Sequence, residues 1–215
     1  MDTRTSPIRL RIAQLREALA REGVSALLVP SSDPHLSEYL PGRWQGREWL
    51  SGFTGSMATL VVAADHAVLF ADSRYWVQAE AELAGTGIEL VKIPTGIATA
   101  HIDWLARQVP RGAVVAVDGQ VLSLAAAGAL KTALDAAGVL LRTELDLLDA
   151  IWPERPGLPG AAVFEHTAPQ ADTTRASKLA EVRRAMHAQG AQWHFVSTLD
   201  DLAWLFNLRG ADVNF

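Results

Sequence analysis

The run from Val24 to Pro30, apolar at every position but Ser25, most constrains what this chain of 215 residues can fold into. A strand with one wet face alternates apolar and polar residues, whereas a run this continuous needs cover on both faces, as a strand has inside a sheet flanked by helices. What precedes it is helical. Ser6 before Pro7 reads as an N-cap with proline at the first helical position, Ile8, Ile12, Leu15 and Leu19 recur at helical spacing, and Gly23 reads as the stop. A helix from Pro7 to Glu22 feeding a buried strand opens an α/β domain.

The pattern continues. Ala58 to Ala63, the turn Ala64-Asp65-His66 and Ala67 to Phe70 predict a hairpin, after which Asp72 or Ser73 caps a helix to about Leu83. Strands over Ile88–Ile93, Ala113–Val117 and Val139–Arg142 alternate with helices over Thr99–Gln108, Ser123–Ala137 and Leu145–Ile151. The fold class is therefore α/β, a mixed sheet with helices on both faces. The net charge of -5 comes from scattered acids and no basic cluster exists, which argues against a nucleic-acid partner. With no cysteine there is no disulfide framework and no thiolate metal site, and a cytoplasmic location is expected. No apolar run approaches the ~18 residues of a membrane span, and no signal core follows Met1 to Arg11.

Pro153, Pro156, Pro159 and Pro169 mark a junction, so the expected division is 1–152, a linker over 153–174, and 175–215. Beyond the junction the chain repeats itself. Val182 to Ser197, a helix, Gly190 and a strand over Trp193–Ser197, retraces Leu15 to Val29, with Asp200 in the place of Asp33. Trp204 to Ala211 then retraces Trp49 to Ser56, the first copy carrying twelve extra residues between its aspartate and its tryptophan. The last segment reads as the start of a second domain of the same fold, truncated before its hairpin.

Chemistry-bearing residues crowd between Ser31 and Tyr75. Asp33-Pro-His-Leu-Ser-Glu-Tyr39, Ser51-Gly-Phe-Thr-Gly-Ser56 and Asp72-Ser-Arg-Tyr75 stand at strand ends, and Leu199 to Asp212 forms a fourth ordered motif. Together they resemble the amino-terminal part of Xaa-Pro aminopeptidases, in the creatinase/prolidase superfamily of pita-bread metallopeptidases. The resemblance implies a ribonuclease H-like first domain and a parent enzyme that removes the N-terminal residue from peptides with proline second. It further implies two divalent metals, manganese or zinc, held by a carboxyl-terminal domain absent here, and a homo-oligomer. This chain would wall the substrate cleft and support assembly, with no catalytic or metal-binding residue of its own and no activity alone. The six histidines independently show no His-Glu-x-x-His pattern.

Arg74 is the sharpest candidate. It falls in the predicted first helical turn, where the macrodipole disfavours a cation, so its placement asks for a reason: a pair with Asp72, plain solvation, or a ligand. The matching arginine of Xaa-Pro aminopeptidases reaches toward bound peptide, which implies substrate binding. His35 and Glu38, three apart, could face together on a helical turn, with Tyr39 beside them; the plainer reading has Asp33 capping a turn preset by Pro34. Gly52 and Gly55 permit a tight turn rather than a phosphate loop, and Trp44, Trp49 and Trp76 could line an apolar cleft. The rival functions are a non-catalytic peptide-binding module of the same superfamily and a creatinase-type hydrolase.

Overall fold

The structure, a computed structural model, describes residues 6–94 and 99–212, so the outer limits Met1 and Phe215 of the expected segments lie outside the described residues. Helix α1 (Pro7–Glu22) ends as its sequence requires: Gly23 is left-handed (φ 66°), and the Val24 N–H donates back to the Leu19 carbonyl. Then come β1 (Ala26–Pro30), α2 (Gly46–Ser51), β2 (Thr59–Ala63), β3 (Ala67–Asp72), α3 (Trp76–Glu82) and β4 (Glu89–Ile93). The alternation runs on through α4 (Ala100–Gln108), β5 (Val114–Ala116), α5 (Leu124–Ala137), β6 (Leu140–Arg142) and α6 (Leu147–Ile151).

These six strands make one sheet in the order β4-β3-β2-β1-β5-β6. The pairs β1–β5, β5–β6 and β3–β4 are parallel, while β2 is antiparallel to both β1 and β3, so β2 runs against the other five. Side chains alternate across the sheet as a pleat demands. Leu27, Val29, Leu60, Val62 and Leu69 pack with α1, α2 and α6, and Leu28, Val61, Val68 and Phe70 pack with α4 and α5. This is the expected mixed sheet with helices on both faces, and each predicted element of residues 7–151 is present to within a few residues.

Two local expectations fail. Asp72 and Ser73 do not cap a helix: α3 begins later, behind Tyr75, because Asp72 Oδ1 already accepts the Arg74 N–H and holds residues 72–75 as a turn. Arg74 thus precedes the helix, and the macrodipole argument does not apply to it. The second failure is the strand predicted over Trp193–Ser197. That segment has no ladder partner among the described residues, and Trp193 and Phe195 are 90% and 88% exposed.

The later region holds β7 (Phe164–Glu165), α7 (Arg175–Ala188), α8 (Leu199–Phe206) and β8 (Leu208–Arg209), with β7 and β8 paired antiparallel. Its entry is tied down. The Arg43 and Arg155 guanidiniums lie 5.6 and 5.7 Å from the centre of the Trp44 ring, and Arg155 Nη1 donates to Asp146 and Asp149 at 2.6 and 2.8 Å. The first residues after Trp152 therefore lie against the first sheet's helices instead of spanning a gap.

Candidate functional site

Strand direction assembles the site. Residues 31–39 follow the end of β1, residues 51–58 lead into the start of β2, and residues 72–75 follow the end of β3. Because β2 alone is reversed, all three stretches meet at one edge of the sheet, the carboxyl edge where open α/β sheets bind ligands.

A buried arginine joins the first two stretches. Arg47, only 5% exposed on α2, donates from Nε to Ser31 Oγ at 2.7 Å, from Nη1 to the Phe53 carbonyl at 2.7 Å and from Nη2 to the Gly55 carbonyl at 2.6 Å. Burial lowers its pKa to about 10 against the raising influence of Glu48, Glu82 and Tyr75. From outside, Glu82 accepts from the Thr54 N–H and hydroxyl. Burial alone would raise the Glu82 carboxyl, but the bonds from Thr54 and Gln78 and the Arg47 charge hold it below its ordinary value. The Phe53–Gly55 turn is thus gripped from both sides.

Tyr75 joins the second stretch to the third. Its hydroxyl lies 2.6 Å from Ser56 Oγ, its ring meets the Phe53 ring edge-on at 5.9 Å, and a Cβ on Gly55 would lie 2.8 Å from its Cδ1. Arg74 lies over the other part of this arrangement, its guanidinium 5.1 Å from the Tyr75 centroid. Nε and Nη2 of Arg74 grip the two oxygens of Asp72 at 3.0 and 2.8 Å, which lowers the Asp72 carboxyl below its ordinary value. The pair is lopsided: the Arg74 side chain is 58% exposed and that of Asp72 15%. The local pair is real, and it steadies a guanidinium whose Nη1 edge faces away from Asp72.

His35, Glu38 and Tyr39 are exposed at the same edge but do not share a helical turn. Buried Asp33 accepts from the N–H groups of His35 and Ser37, and Leu36 adopts φ 57°, a left-handed conformation uncommon for leucine that ends any helical path between His35 and Glu38. The capping reading of Asp33 is the one realised. Beside these loops lies a cleft of about 320 Å³ walled by Pro30, Met57, Asp72, Ile93 and His101. Burial lowers the His101 pKa below its ordinary value, with Asp103 acting in the opposite direction.

The tryptophans do not line one cleft. Trp44 is buried against Arg43 and Arg155, Trp49 stacks on Trp152 at 4.7 Å, and Trp76 donates to the Ala71 carbonyl. The fourth motif is built into α8 and β8, where α8 packs on α7. Among the described residues no group of three His, Asp or Glu side chains is placed to hold a metal. Sequence reasoning missed Arg47 and Glu82. The signal for Arg47 was its spacing: Arg47, Leu50 and Ser51 fall on one buried face of α2, and an arginine there needs partners.

With this geometry the chain can be compared with known proteins. A Creatinase/Prolidase N-terminal domain model matches residues 11–149, and a second model of that description matches 154–215. The chain belongs to this creatinase/prolidase N-terminal family. A probable Xaa-Pro aminopeptidase P of Talaromyces marneffei is 37% identical over 95% of this chain and 31% of its own length. Xaa-Pro aminopeptidase 2 of Sus scrofa is 35% identical over 95% of this chain and 31% of its own. The crystal structure of an X-prolyl aminopeptidase from Caenorhabditis elegans, described as a cytosolic enzyme with a di-nuclear active site, superposes with a TM-score of 0.82. It is 31% identical, with 97% of this chain and 35% of that one covered. The chain therefore spans about a third of the length of the relatives it matches.

Proposed function

We propose that this chain is the amino-terminal part of a metal-dependent Xaa-Pro aminopeptidase, a hydrolase that removes the N-terminal residue from peptides with proline second. The supporting observation is the likeness to the Caenorhabditis elegans enzyme along 97% of this chain, with the three motif stretches drawn to one edge. In this reading residues 1–152 form a first creatinase-like domain, 153–174 a junction and 175–215 the start of a second. The first domain walls the peptide cleft and supports a cytoplasmic homo-oligomer. Arg74 contacts the peptide, with His35, Glu38 and Tyr39 on the same rim. In this reading the two divalent metals, manganese or zinc, are held by a carboxyl-terminal catalytic domain, and the chain alone has no turnover; among the described residues no group of three His, Asp or Glu side chains is placed to hold one.

The test uses the complete protein and Xaa-Pro peptides with manganese or zinc supplied. Arg74→Ala is expected to lower kcat/KM by roughly ten- to a hundredfold, as loss of a charge-assisted hydrogen bond does. Arg74→Lys should recover part of that, since the charge returns without the planar fork. Unchanged kinetics in Arg74→Ala would leave the residue only its pair with Asp72. A complete protein that cleaves no Xaa-Pro bond would overturn the proposal as a whole.

A further inference from the structure

We propose that Arg47 is the positioning residue of this rim: it fixes the Phe53–Gly55 turn on which the Tyr75 ring rests, and through that ring it sets the direction of Arg74. The structural part stands on the contacts alone; its effect on peptide turnover rests on the function proposed above.

The contacts form an unbroken path. Arg47 sits under the turn and binds two of its carbonyls, Phe53 and Gly55, each at 2.7 Å or less. Those two residues carry Tyr75. The Phe53 ring meets it edge-on, and Gly55 approaches it so closely that a Cβ would lie 2.8 Å from Tyr75 Cδ1 and 2.3 Å from Phe53 Cζ. The Tyr75 ring in turn lies beneath the Arg74 guanidinium. Nε of Arg47 also reaches Ser31 Oγ, which accepts the Ala58 N–H and donates to the Ala58 carbonyl, so the same side chain ties the end of β1 to the entry of β2.

The choice of residue matters. The hydrogen-bond acceptors of Arg47 are neutral oxygens, and a cation buried among neutral oxygens is a poor stabiliser compared with an apolar side chain of similar volume. The turn already has a neutral device, because the Ser51 hydroxyl donates to the Arg47 carbonyl and accepts the Phe53 N–H. What only a guanidinium supplies is a rigid planar fork reaching three acceptors on two segments at once. That suits a site whose parts must stay in register, since small displacements of a positioning shell are amplified at the group it supports.

The experiment has two arms. In the first, the 215-residue chain is labelled with nitrogen-15 and the Nε–H resonance of Arg74 is followed by NMR. Arg47→Lys, which keeps the charge and loses the fork, should shift and broaden the Arg74 Nε–H signal while amides of α5 stay in place. If the Phe53 and Gly55 amides move and Arg74 does not, Arg47 holds the turn and nothing more, and the proposal fails. Should Arg47→Lys not fold, Ser31→Ala removes the acceptor of Arg47 Nε and loosens the fork, with the same expected and the same overturning result.

The second arm measures peptide turnover by the complete protein. Arg47→Lys should raise KM about tenfold with kcat within about twofold, the signature of lost uniform binding. Combined with Arg74→Ala it should add less than about twofold further, because residues on one path are not additive. Losses that multiply would overturn the path. An inactive complete protein would sink the aminopeptidase reading and leave the NMR result standing.

Discussion

In the first region Arg11 of α1 donates to the Trp49 carbonyl at 2.6 Å and lays its guanidinium 4.7 Å from the centre of that tryptophan ring. In the second region Lys178 of α7 donates to the Trp204 carbonyl at 2.8 Å, with its ammonium 4.5 Å from that ring. The helices that carry the two cations end alike, at Gly23 (φ 66°) and Gly190 (φ 67°). The helices that carry the two tryptophans also end alike, at left-handed Gly52 (φ 72°) and Asn207 (φ 52°). After that the regions part. Beyond Gly23 the chain enters β1 with a strand paired on each side, whereas beyond Gly190 the described residues offer Trp193–Ser197 no partner. The caps close within a turn of chain, and the cation–tryptophan contacts, 38 and 26 residues apart in sequence, join helix to helix without a strand ladder. A strand is completed by its neighbours, and its own pattern cannot supply them.

The sharpest way to test this contrast is inside the sheet. Leu60, fully buried on β2, should cost about 3 to 5 kcal/mol when cut to alanine, as for a well-packed core leucine, read by denaturant unfolding. A loss near 1 kcal/mol would mean the first region is as loosely packed as the second.

The cation pair gives the next effect. Lys178→Met takes the ammonium donor from the Trp204 carbonyl and from Asn207 Oδ1 and should cost the second region roughly 2 to 3 kcal/mol, seen as faster amide exchange in α7 and α8. Arg11→Met removes one bond in a half-buried setting and should cost about 1 kcal/mol. The reverse order would break the equivalence of the two devices.

A smaller, pH-dependent effect belongs to the first region. Burial holds the folded pKa of His101 below its ordinary 6.5, so the unfolded chain takes up this proton first. The contribution of the neutral ring is therefore full above pH 6.5 and declines as pH falls from there toward the folded value. Urea midpoints measured across that window should fall in the wild type and flatten in His101→Gln; equal slopes would remove His101 as their source. Trp193→Ser should do least, within about 0.5 kcal/mol, since the ring is 90% exposed. A larger loss in thermal unfolding would show that Trp193 is packed after all.

Much of the first region was legible because its signals are local. Gly23, the hairpin, and the buried runs announced themselves, and Asp33-Pro34 was readable as a capped turn. Arg74 was misplaced because two demands on Asp72 compete: as a cap it would start the helix at once, but it instead binds the Arg74 N–H and guanidinium and delays the helix to Trp76. Arg47 was missed because its partners Phe53 O and Gly55 O are backbone atoms, which leave no mark on residue type. The strand expected over Trp193–Ser197 had a sound local pattern, and what it lacks among the described residues is a paired neighbour.

The reversal of β2 also bears on how this fold can change. Since β1 finishes and β2 begins at the same edge, the connection from Pro30 to Thr59 leaves and returns without crossing the sheet. Lengthening such a loop adds only about 0.6 kcal/mol of closure entropy per doubling, and no strand has to slip. Reach at this edge can be redrawn by insertion and deletion while the register beneath it stays as it is.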